Sequence, residues 1–95
     1  MRQAAKIDRN QPDIVVALRA IGASVQSLAA TGKGVPDLLV GWHGRTYLLE
    51  VKDGTLPPSA RRLTPDQEAW HAAWSGSPVV VITCVNEAIA ALVNA

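Results

Sequence analysis

The stretch Val35–Lys52, VPDLLVGWHGRTYLLEVK, constrains the fold of this chain more than any other. It reads as two apolar strands joined by a tight turn at His43-Gly44. A two-residue turn pairs Trp42 with Arg45, and counting back along both strands sets Asp37 directly opposite Glu50. Directly opposed residues have Cβ atoms about 4.5–5.5 Å apart. The period of two puts Lys52 on the same face as Glu50. Leu38, Val40 and Trp42 share one face, and Asp37, Leu39 and Gly41 the other. Tyr47, Leu49 and Val51 likewise oppose Leu48, Glu50 and Lys52. Apolar side chains on both faces predict central strands covered on both sides. Two acids facing each other there destabilise the sheet unless positive charge lies between them. Lys52 supplies one such charge, and a divalent cation would supply the rest. The blander alternative is that Asp37 merely finishes a turn after Pro36 and that Glu50 and Lys52 form an exposed ion pair. The flanking LLV and YLL runs favour burial, and buried charges are paired or bind metal.

The 95 residues suit one small domain, residues 1–95. A hydrophobic fraction of 48% is enough for a core, although domains of this size are marginally stable. A formal charge of +1 argues neither for nor against nucleic acid, because a local basic patch matters more than the total. The single cysteine, Cys84, excludes an internal disulfide and a cysteine-based zinc site, and it fits a reducing compartment. Within the apolar run VVVITCV it is expected to be a buried small hydrophobe rather than a nucleophile. No stretch approaches the roughly 18 apolar residues of a membrane span. The polar start MRQAAKIDRNQ lacks the apolar core of a signal peptide. A soluble intracellular protein without a membrane partner is the expectation.

Residues 1–9 are polar and basic and are expected to be loosely held. A helix should start at Asn10 as N-cap, with Pro12 and Asp13 in its first turn. Ile14, Val15, Leu18 and Ile21 give its apolar stripe, and Gly22 should end it. Ala23 to Leu28 suits a first strand, with Val25 and Ser27 on one face. Thr31-Gly32-Lys33-Gly34 reads as a flexible connector and lacks the residues of a Walker A loop. After the hairpin, Asp53 to Leu63 is a loop with two prolines and the pair Arg61-Arg62. Thr64-Pro65-Asp66-Gln67 is a strong helix start, in which Gln67 closes a capping box on Thr64. Trp70, Ala73 and Trp74 should form that helix's buried stripe, with Gly76 ending it. Val79 to Thr83 then suits a buried strand parallel to the hairpin's second strand, and a closing helix over Glu87 to Val93 would carry Ile89, Leu92 and Val93. The expected order is α-β-β-β-α-β-α, an α/β (α+β) fold with a mixed sheet flanked by helices.

This order, with Pro36-Asp37 and Glu50-Val51-Lys52, resembles the PD-(D/E)XK nuclease superfamily. The stretches GVPDLLVG, LLEVKDG, PPSARRLTPDQ and AWHAAW look like the small stand-alone VRR-NUC proteins of bacteriophages and prophages. The resemblance runs from about Lys6 to Ala91. It implies a restriction-endonuclease-like core and a protein acting in a bacterial host's cytoplasm. Asp37 and Glu50 match the family's metal-binding acids, and the Val51 backbone carbonyl matches a third ligand. Lys52 matches the lysine that orients or activates the attacking water. Where the first helix of the superfamily often carries an acid this chain has Gln11, with Asp8 and Asp13 as nearby alternatives. Gln67 matches a polar residue that often points into the site, but the capping box alone also accounts for it.

Such a site implies hydrolysis of phosphodiester bonds with Mg²⁺ or Mn²⁺, which suits oxygen-only ligands better than Zn²⁺ does, and no small-molecule cofactor. The implied partner is DNA, branched or duplex, with Holliday-junction-like substrates suggested by the resemblance alone. Lys33, Arg61 and Arg62 would contact phosphates if they rim the site, and otherwise, like Arg45, they are solvated cations. One site per chain and two strands to cut make a symmetric homodimer the natural expectation, with an exposed side of the first or last helix as interface. Two other readings stand beside the nuclease: a DNA-binding accessory module without turnover, and a nuclease subunit of a larger helicase complex. His43 reads as a turn residue and His71 as a helix-surface or packing residue. Trp42, Trp70 and Trp74 read as core.

Overall fold

A computed structural model describes residues 7–94. The elements are α1 (Gln11–Ala20), β1 (Ser24–Ser27), β2 (Leu38–Trp42), β3 (Arg45–Val51), a 3-10 turn at Pro58–Ala60, α2 (Pro65–Ala73), β4 (Val80–Ile82) and α3 (Val85–Val93). This is the expected order, in a mixed α+β fold with one four-stranded sheet ordered β1-β2-β3-β4. The first three strands are antiparallel neighbours, and β4 runs parallel to β3. The parallel pair requires a crossover, and the segment carrying α2 supplies it. Among the described residues no helix is long and apolar enough to cross a membrane.

One face of the sheet carries the core. Leu38, Val40, Leu49, Val51 and Ile82 bury their side chains against Ile14 and Leu18 of α1 and Ala88 and Leu92 of α3. The end of α1 is fixed by a Schellman motif: Ala23 N–H donates to Leu18 O and Gly22 N–H to Arg19 O, both at 3.0 Å. Gly22 takes a φ of 95°, which a side chain would strain. Asn10 holds the N-cap position, but its side chain makes no cap bond. Its Nδ2 instead donates to Lys52 O and Thr83 O, both at 3.0 Å, which ties the helix start to the ends of β3 and β4.

Several sequence expectations are corrected here. The second face of the sheet is only partly covered: Leu39 and Leu48 are half-buried and Val81 is 43% exposed. The reason lies in α2, none of whose residues is buried. Its expected stripe of Trp70, Ala73 and Trp74 does not form a core. Trp74 is 44% exposed and stacks on Trp70 with ring centroids 4.8 Å apart. Val93 of α3 is also exposed, whereas Leu92 is buried as expected, together with Ala88. Cys84 is exposed, because β4 spans three residues and the chain has already turned toward α3 when it reaches the thiol. Thr31–Gly34 is not a slack connector. Gly32, Lys33 and Gly34 all have positive φ, and a Cβ on Gly34 would lie 2.9 Å from the Gln67 nitrogen and closer still to the Asp66 carbonyl. Of the stretch expected to be loose, residues 1–6 lie outside the described residues, and the Arg9 side chain is 85% exposed, 4.0 Å from Asp53.

Candidate active site

The hairpin turns on His43 (φ 49°) and Gly44 (φ 76°), the two left-handed residues of a type I′ turn. Trp42 pairs with Arg45 and Leu38 with Leu49, so one step further Asp37 faces Glu50, in the register that the turn requires. Two steps further the ladder would pair Pro36 with Val51. Proline has no N–H, so the Val51 carbonyl loses its ladder donor at that position. The Val51 N–H is taken by a side chain instead, donating to Asp37 Oδ2 at 2.7 Å. Asp37 is thereby fixed at the point where β2 and β3 part, while its own carbonyl accepts from Leu28 N–H at 2.8 Å. An acid, a second acid and a carbonyl without its ladder partner converge there.

Glu50 is 1% exposed. Its carboxyl is pushed up from 4.5 to about 9, first by burial, then by the hydrogen bond to Asp37 and the Asp37 charge. Lys52 opposes that shift, and the charge of Asp8 adds to it. Burial beside Asp37 thus favours the protonated form of Glu50. A cation between the two carboxyls would displace that proton, because it replaces like-charge repulsion with attraction.

Lys52, 8% exposed, donates from Nζ to Gln67 Oε1 at 2.8 Å. Gln67 sits at the first turn of α2, where Thr64 and Gln67 form the expected capping box. Gln67 Oε1 accepts from Thr64 N–H at 2.9 Å as well as from Lys52, and its Nε2 donates to Glu50 Oε2 at 3.3 Å. Cap and site are thus one arrangement rather than alternatives. One turn later on the same helix, His71 Nε2 lies 3.1 Å from Glu50 Oε1, with its ring 14% exposed. Burial and the nearby Lys52 hold its imidazole below its ordinary pKa. The expectation of a surface or packing role for His71 is therefore corrected. Its spacing of four residues from Gln67 was the available signal, since i and i+4 share one helix face.

The remaining candidates divide. Gln11 is 4% exposed and its Oε1 has no partner. It directly follows Asn10, which is bonded to Lys52 O, and lies three residues after Asp8, whose charge reaches Glu50. Asp13 is exposed on α1. Asp53 is buried, yet its Oδ1 is occupied by Thr55 N–H at 2.9 Å and Thr55 Oγ1 at 2.7 Å, which hold its carboxyl below the usual range. Lys33 is exposed in the loop that touches the first turn of α2. Arg61 is half-buried with a buried, unpartnered Nε, and Arg62 is exposed. Among the described residues no three His, Cys, Asp or Glu side chains are arranged to hold a metal. The available donors are two carboxylates and a backbone carbonyl, a set that suits Mg²⁺ with retained waters. The unpartnered Gln11 Oε1 could accept from such a water. No family model, curated protein or solved structure matches the chain.

Proposed function

We propose that this chain is a Mg²⁺- or Mn²⁺-dependent DNA endonuclease that hydrolyses phosphodiester bonds, acts on branched DNA and works as a homodimer. The observation that carries this reading is the buried contact between Asp37 and Glu50 beside Lys52, at a point where Pro36 deprives the Val51 carbonyl of its ladder donor. Two acids are held together at a cost that a cation would relieve. Asp37, Glu50 and the Val51 carbonyl would hold the ion. When bound, it supplies Lewis acidity, relieving charge on the phosphate and making a water a better nucleophile.

The protein's own groups do the rest. Lys52 Nζ has three protons to donate and spends one on Gln67 Oε1, which fixes the ammonium beside Glu50. Another can be offered to a phosphate oxygen, where positive charge counts most as negative charge builds in the transition state. Lys33 on the neighbouring loop, with Arg61 and Arg62 ahead of α2, would track the DNA backbone. None of them reads bases, so selectivity would come from DNA shape. Two strands to cut and one site per chain favour the dimer.

A second reading, a DNA-binding accessory module without turnover, is favoured by the neutral Gln11 where the resemblance leads one to look for an acid. The test is a nicking assay on duplex, flap, fork and four-way-junction DNA with Mg²⁺, Mn²⁺ or EDTA, beside Glu50→Gln and Lys52→Ala. Metal-dependent cutting that is lost in both variants is the expected result. Binding without cutting in either metal overturns the nuclease in favour of the accessory module.

A further inference from the structure

Glu50 is held from one side by two residues of the same helix. Gln67 Nε2 donates to Oε2 at 3.3 Å and His71 Nε2 meets Oε1 at 3.1 Å, so each carboxyl oxygen has its own partner, one turn apart along α2. Gln67 has further work in the helix cap and on Lys52. Among the described residues His71 makes no other hydrogen bond, and it meets Glu50 from a helix that buries none of its residues. A half-open helix would normally turn its histidine to water; this one keeps the ring 14% exposed against a carboxyl that is 1% exposed.

We propose that His71 is a positioning residue for Glu50, forming with Gln67 a two-point clamp that fixes the carboxylate for metal binding. The proposal rests on the nuclease reading and adds to it a residue outside the acid-acid-lysine set. An ionised carboxylate only accepts, so with Glu50 ionised the Nε2 nitrogen donates and Nδ1 is left bare. Each Glu50 oxygen keeps a second lone pair, so the clamp sets the plane of the carboxylate without exhausting it. Outer partners of this kind are worth about 10–100-fold in metal affinity when lost.

The test is titration of Mn²⁺ alone into the full chain, with free ion read by electron paramagnetic resonance, for the parent protein, His71→Gln, His71→Asn and Glu50→Gln. A glutamine amide nitrogen reaches about as far as Nε2 and can donate to Glu50. An asparagine amide is one methylene short, yet leaves the same polarity on the helix. The expected result is that His71→Gln stays within about threefold of the parent while His71→Asn weakens Mn²⁺ binding about tenfold or more. In the cutting assay His71→Asn should lower kcat and leave the KM for DNA unchanged. Parent-like Mn²⁺ binding by His71→Asn, with binding lost in Glu50→Gln, overturns the clamp and leaves the nuclease reading intact. If the parent binds no Mn²⁺ that Glu50→Gln removes, both fall together.

Discussion

Asp37 accepts the Val51 N–H at 2.7 Å, a bond from a side chain on β2's approach to the backbone of the neighbouring strand. It engages the Val51 N–H where the ladder gives out at Pro36, so the acid of the candidate site is also a structural link of the hairpin. The two roles can be separated by substitution. An asparagine keeps an oxygen that can accept from Val51, and it removes the charge. Asp37→Asn is therefore expected to unfold within about 1 kcal/mol of the parent, whereas Asp37→Ala leaves a buried N–H unsatisfied and loses about 1–3 kcal/mol. Both should abolish Mn²⁺ binding. Urea unfolding of the three proteins measures the difference, and equal stabilities for the two variants would show that the Val51 bond carries no weight.

The raised pKa of Glu50 sets a pH dependence. The unfolded chain ionises this carboxyl near 4.5, the folded one at about 9, so between those values the native state holds the extra proton. Stability then falls as pH rises through that window, because the proton must be lost from a group whose burial and Asp37 neighbour disfavour its charge. The loss should reach at least about 1.4 kcal/mol, the equivalent of one pKa unit. Thermal melts of the metal-free protein from pH 5 to pH 9 test this against Glu50→Gln, which has no proton to lose there. The variant's curve should be flatter, and at pH 8 its melting temperature should be the higher of the two. Mn²⁺ at saturation should flatten the parent's curve as well. Parallel curves for the two metal-free proteins would sink the assignment of the raised pKa to Glu50.

The register was legible because a two-residue turn leaves no freedom. With His43 and Gly44 in the turn, every partner down to Asp37 and Glu50 follows by subtraction. Capping chemistry likewise placed the start of α2, since Thr64 and Gln67 satisfy backbone groups by local geometry alone. What the sequence hid depends on the third dimension. The apolar run around Cys84 looks continuous, but a strand of three residues and a turn carry the thiol to the surface. Trp70 and Trp74 have the spacing of a buried stripe, yet α2 buries none of its residues and the two rings stack on each other, with Trp74 exposed. Spacing says that residues share a face; it does not say what the face meets. For the same reason the spacing of His71 does not by itself announce the Glu50 carboxyl 3.1 Å from its Nε2.

The exposure of Cys84 can be measured directly. A thiol at the start of α3 with solvent access should react with a disulfide reagent in the native protein at a rate close to that of the urea-unfolded chain. A thiol buried behind β4 would be slowed by the free energy of opening, about a thousandfold for each 4 kcal/mol. The two rates, followed spectroscopically on the same sample, should agree within about tenfold. A native thiol that reacts only as the protein unfolds would return Cys84 to the core.

Gly34 joins the fold to the site. It takes a φ of 81°, and a Cβ there would come within 2.9 Å of the Gln67 nitrogen, with the Asp66 carbonyl nearer still. The clash is with backbone, which cannot swing aside as a side chain would. Gly32 is the control, since its φ of 67° is also left-handed but a Cβ would meet nothing within 4 Å. Gly32→Ala should cost only the left-handed conformation, about 1–2 kcal/mol. Gly34→Ala has to pay that and also push α2 away, moving Gln67 and His71 off Lys52 and Glu50. Its stability loss should clearly exceed that of Gly32→Ala, and Mn²⁺ affinity should drop in Gly34→Ala alone. Equal losses in the two variants would mean that the Gly34 contact does not seat α2, and that the helix is held over the site by its polar bonds to Glu50 and Lys52.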